Sequence, residues 1–135
     1  MASPQKFLIV DDNPDSRYLL VKTLLRKFPL AAIQECQSAE TASQVFRAEK
    51  PLAAVVHRAG EVDGLTMIRT LRATDASTPI VMVSGFDRSK EAVAAGATSF
   101  LPYDEWLRIG TVVAEILKAA QARPTDSTPP SGPAA

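Results

Sequence analysis

Cysteine is almost missing from this chain. The one thiol, Cys36, has no partner for an intramolecular disulfide and no Cys or His cluster around it, which excludes a disulfide scaffold and a structural zinc site. A reducing cytoplasmic setting is expected. Net charge is missing too, fifteen basic residues against fifteen acidic ones, so the long-range field behind most non-specific nucleic-acid binding is lacking. No nucleic-acid partner is expected. No apolar run approaches the roughly 20 residues that cross a bilayer, and Met1 to Lys6 leads into a strand-like tetrapeptide rather than a signal-peptide core. No membrane association is expected either. Glycine is scarce, and the first strand-to-helix turn, Asp11-Asp12-Asn13-Pro14, contains none, so a glycine-rich phosphate loop is absent where a dinucleotide fold would place it. Flavin or nucleotide binding therefore has little support.

What the chain does have is 135 residues, 46% of them hydrophobic, which is enough for one domain with a real core. Two kinds of segment alternate from Lys6 to about Ala120. Phe7 to Val10, Leu52 to Val56 and Pro79 to Val83 are short, continuous and β-prone, the pattern of strands buried on both faces of a parallel sheet. These are expected at its centre. Ala31 to Cys36 is more mixed and Thr98 to Leu101 is short, which places those two strands nearer the edges.

Helical patterns fill the gaps. Asn13 is expected to cap a helix that starts at Pro14 and turns Tyr18, Val21, Leu24, Leu25 and Phe28 inward. Ser38 caps a second helix with Val45 and Phe46 inward, and Asp63 a third with Leu65, Ile68 and Leu71. The fourth, Asp87 to Ala95, spans only about two turns. A fifth begins near Asp104 and carries Trp106, Ile109, Val113, Ile116 and Leu117 on one face, with Trp106 as a core anchor or, alternatively, a contact residue. Five β–α alternations give an α/β fold, a five-stranded doubly wound parallel sheet, with a half-Rossmann unit as the alternative. The domain is expected to cover residues 1–121. From Ala122 to Ala135 the chain holds four of its ten prolines and no large apolar residue, so a disordered Pro-rich tail, too short for an output domain, is expected.

In open α/β sheets ligands gather beyond the C-terminal strand ends, so the residues after each apolar run carry the chemistry. Here they are Asp11 and Asp12, then His57 and Arg58, then Ser84 and Gly85, then Pro102 and Tyr103. Two adjacent carboxylates repel and call for a cation, either a hard metal or a basic side chain. Helix capping does not account for both, because Asn13 already supplies a cap.

The run from Phe7 to Arg17, the Asp63-Gly64 pair, Val81 to Gly85 and the stretch from Ala94 to Leu101 resemble the response-regulator receiver domains of bacterial two-component signalling. The resemblance covers Lys6 to about Ala120 and implies the flavodoxin-like (βα)5 receiver fold. It also implies a phosphorelay chemistry, in which an aspartate at the end of the third strand takes a phosphoryl group from a histidine kinase. Asp11 and Asp12 then match the acids that hold magnesium, Ser84 matches the hydroxyl that binds phosphoryl oxygens, and Phe100 matches the aromatic switch position.

Two essentials do not match. The family spacing puts the acceptor on Val56, or on His57 if the following loop is one residue shorter, and neither is a carboxylate. Tyr103 stands where the family has lysine, and the loop from Ala59 to Val62 lacks the usual proline. A degenerate pseudo-receiver is therefore expected, with no enzyme activity, no cofactor beyond weak magnesium at Asp11 and Asp12, and His57 or Arg58 in place of the ion. It would work through protein–protein interaction with a histidine kinase, another two-component protein or a second copy of itself. The alternative is phosphotransfer onto a non-standard acceptor such as His57; Glu61 lies off the strand end that fixes attack geometry. Ser84 and Phe100 read equally well as ordinary strand-end residues, and Cys36 as a buried small hydrophobe.

Overall fold

The structure, a computed structural model, describes residues 5–122. Five strands, β1 (Lys6–Val10), β2 (Ala32–Cys36), β3 (Ala53–Val56), β4 (Ile80–Ser84) and β5 (Ser99–Pro102), form one parallel sheet in the order β2-β1-β3-β4-β5. That order is the flavodoxin-like arrangement, so the half-Rossmann alternative is set aside. The three apolar runs lie at the centre and the two mixed ones at the edges. Continuous Val, Ile and Leu suit a strand covered on both faces, and Leu8, Ile9, Val55 and Val81 are all buried.

The helices are α1 (Pro14–Lys27), α2 (Ala39–Glu49), α3 (Gly64–Thr74), α4 (Ser89–Ala95) and α5 (Ile109–Ala122). Two cores result, one under α2, α3 and α4 with Phe46, Met67, Ile68 and Leu71, the other under α1 and α5 with Leu20, Leu24, Ile109 and Val113. Caps sit where side chains meet orphan amides: Asn13 accepts from Asp15 and Ser16, Ser38 from Thr41, Asp63 from Leu65 and Thr66.

Two expectations are corrected. Tyr18 points outward at 61% exposure, because the inner stripe of α1 runs Ser16, Leu20, Thr23, Leu24, and the two small polar residues in it hide its register from an apolar count. The segment after β5 does not enter the last helix at once. A 3-10 helix, η1 (Tyr103–Arg108), comes first, so Trp106 sits in η1, half-buried against the α1/α5 core.

The last described helix, α5, runs to Ala122; residues 123–135, most of the expected tail, lie outside the described residues. Among the described residues no helix is long and apolar enough to cross a membrane.

Candidate functional site

The C-terminal ends of β1, β3, β4 and β5 converge on one side of the sheet, and parallel register fixes which residues meet there. Val10 pairs with Val56, so the next residues, Asp11 and His57, arrive side by side, with the His57 amide donating to the Val10 carbonyl at 2.9 Å. Val56 is fully buried in the α2/α3 core. Of the two positions the sequence left open, His57, the residue just after β3, is the one that lines the crevice. The loop behind it closes early, through an isolated antiparallel bridge between Ala59 and Val62 around Gly60, whose φ of +71° is left-handed. Glu61, in that turn, is exposed.

Asp11 is wholly buried and fully engaged. Its Oδ1 accepts the Asn13 amide at 3.0 Å, and its Oδ2 accepts the Ser16 hydroxyl and lies 3.1 Å from Nδ1 of His57. Burial alone would push its carboxyl up; the bonds from His57, Ser16 and Asn13 outweigh that and leave it below the ordinary carboxylate value. An ionised carboxylate only accepts, so Nδ1 carries the proton of this bond. Arg17 reinforces the corner, donating from Nη1 to the Asp11 carbonyl at 2.9 Å and from Nε to Glu35 at 2.9 Å.

The His57 side chain is nearly buried, and Tyr103 covers one face of its ring, with centroids 5.0 Å apart and planes 12° from parallel. Tyr103 thus stands beside the strand tip, in the place the resemblance gives to lysine. Asp12 turns the other way, into a cavity of about 310 Å³ that it lines with His57, Arg58, Asp63, Ser84 and Arg88. Arg58 itself is exposed, so His57 is the basic group that meets Asp11. The Thr66 amide, helped by that of Leu65, holds Asp63 below its ordinary range, although burial opposes them. Ser84 Oγ accepts the Phe86 amide at 3.2 Å. Beyond Tyr103 a second cavity of about 660 Å³ is lined by Phe86, Phe100 and Pro102.

These residues do not make a good magnesium site. Magnesium asks for near-octahedral oxygen ligation, whereas both oxygens of Asp11 are taken by protein donors and the strand-tip residue offers an imidazole. Among the described residues no group of three or more His, Cys, Asp or Glu side chains is placed to hold an ion.

Of the residues the sequence brought forward, Asp12, His57, Arg58 and Ser84 line this crevice, Asp11 is buried against His57, and Tyr103 and Phe100 line the second cavity. It missed Ser16, Arg17 and Arg88. A hydroxyl five residues beyond an aspartate, on the inner face of α1, was the available sign for Ser16; Arg17 and Arg88 carried none.

A family profile described as the response regulator receiver domain matches residues 7–103. Response regulator MprA of Mycolicibacterium vanbaalenii is 31% identical over 103 residues, covering 73% of this chain and 44% of that protein. Chemotaxis protein CheY of Bacillus subtilis is 27% identical over 100 residues, 71% of this chain and 82% of that one. The chain thus spans less than half the length of MprA. Among solved structures the signal receiver domain of NarL from Mycobacterium tuberculosis superposes with a TM-score of 0.72 at 21% identity, covering 90% of this chain and all of that one. A CheY-like receiver from Methanospirillum hungatei gives 0.73 at 17% identity, covering 88% and 98%. Strand order, crevice and profile agree: the chain belongs to the response regulator receiver domain family.

Proposed function

We propose that this chain is a pseudo-receiver of two-component signalling, which docks onto another signalling protein or a second copy of itself without passing through an aspartyl phosphate. The observation that supports this best is the hydrogen bond between His57 and Asp11 at the tip of β3. A receiver that takes phosphate needs an acceptor oxyanion there, a metal on the acidic pair and a cation to meet the phosphoryl oxygens. This chain supplies an imidazole, an Asp11 already satisfied from within, and a tyrosine ring packed against the imidazole.

The three departures fit one another. An imidazole gives Asp11 a donor where the metal would otherwise balance it, and its flat face suits the ring of Tyr103 better than a lysine chain. Signal output would then rest on docking, with no catalytic turnover, and the partner class is a histidine kinase or another two-component protein. The whole-chain activity of MprA or CheY is not carried over.

Incubation with acetyl phosphate and magnesium, followed by intact-mass measurement, tests this reading. The mass is expected to stay unchanged. A stable phosphoryl adduct that disappears in His57→Ala would overturn it in favour of a histidine acceptor.

A further inference from the structure

Tyr103 belongs to two places at once. Its ring stacks on His57 at the polar crevice, and it also lines the apolar cavity that holds Phe86 and Phe100. It is also the first residue of η1, an element with weak holds: no residue of η1 is fully buried, its start has no side-chain cap, and Glu105 within it departs from helical geometry at φ −105°, ψ 25°. The ion pair between Arg108 and Glu105 is exposed and internal to η1, so it ties the segment to nothing else. Two aromatic side chains help join η1 to the body: Tyr103 packs on His57 and, together with Trp106, on the α1/α5 core.

We propose that Tyr103 is a latch: its stack on the strand-tip imidazole holds η1 shut, so the position of His57 sets whether η1 lies closed on the domain. His57 is in turn fixed by Asp11, which Ser16 and Asn13 hold from α1 and its cap. The chain of contacts runs from α1 through Asp11, His57 and Tyr103 to η1. A segment with no fully buried residue opens at lower free energy than the core, and losing one of its contacts shifts that local equilibrium. Displacing the imidazole would remove one support of Tyr103 and loosen the segment that carries the exposed Leu107. This coupling is a property of the fold and does not rest on the docking reading above.

Trp106 is the only tryptophan and lies within η1, so it reports the latch directly. The test compares wild type with Tyr103→Ala, Tyr103→Phe and His57→Ala, using acrylamide quenching of Trp106 and amide hydrogen exchange across residues 103–108. Tyr103→Ala is expected to raise the quenching of Trp106 and speed exchange in η1 by roughly 2- to 10-fold, an aromatic-pair increment written as an equilibrium ratio. Tyr103→Phe keeps the ring and should behave as wild type. His57→Ala should move both readouts in the same direction and by no more than Tyr103→Ala, and the double variant should add nothing to Tyr103→Ala. Tyr103→Ala leaves the Asp11 cluster intact, so it remains informative if His57→Ala fails to fold. A folded Tyr103→Ala with wild-type quenching and exchange would overturn the proposal, as would additive effects in the double variant.

Discussion

His57 Nδ1 donates to Asp11 Oδ2 across 3.1 Å, inside a cluster where Asp11 also takes the Ser16 hydroxyl and the Asn13 amide. Both side chains come from residues that directly follow neighbouring parallel strands, so the bond is set by the sheet register.

Removing the acceptor strands three donors. Asp11→Ala leaves the imidazole, the Ser16 hydroxyl and the Asn13 amide unsatisfied, and should lower the unfolding free energy by about 1–3 kcal/mol. Urea denaturation measures it. An unchanged midpoint would mean that water replaces the carboxylate at no cost.

Acid should weaken the fold through three aspartates. All three folded values lie below the ordinary 3.8, Asp11 after its hydrogen bonds outweigh burial, Asp63 through the amides of Thr66 and Leu65, and Asp75 at about 2 through the amide and hydroxyl of Ser77. A depressed folded value stabilises the fold above the unfolded one, and that contribution is lost as pH falls through the folded one. For Asp75 the loss runs from about 3.8 down to about 2. Asp75→Ala should flatten the stability profile in that window, read from denaturation midpoints at stepped pH.

The inner face of α1 separates what sequence patterns show from what they hide. Leu20→Ala should cost about 2–5 kcal/mol, since Leu20 is fully buried. Tyr18→Ser, outward on the same helix, should stay within about 0.5 kcal/mol.

Gly96 carries a backbone constraint. Its φ is +115°, and an added Cβ would lie 2.8 Å from Cγ of Arg72, whose guanidinium bonds to the carbonyls of Gly96, Asp75 and Thr78. Gly96→Ala should destabilise by about 1–3 kcal/mol in thermal or chemical unfolding.

Sheet and crevice were readable because buried parallel strands leave continuous apolar runs, and the residues after them must share one edge. The centre strands from Phe7, Leu52 and Pro79 fell within a residue of their observed bounds for that reason. Which of Val56 and His57 faces the crevice was not readable, since it depends on how tightly the Ala59–Val62 turn closes. The stack of Tyr103 on His57 joins residues far apart in sequence and depends on the 3-10 geometry after β5, which no periodicity announced. On α1, Ser16 and Thr23 face inward, and Ser16 does so because it serves a buried carboxylate; a count of apolar residues passes over it.

Nitrogen-15 NMR of the single histidine reads the central pair most directly. The account predicts a neutral-pH imidazole with its proton on Nδ1, protected from exchange with water, and both signatures lost in Asp11→Ala. A ring protonated on Nε2 with a bare Nδ1, or one whose signals are indifferent to Asp11, would contradict it.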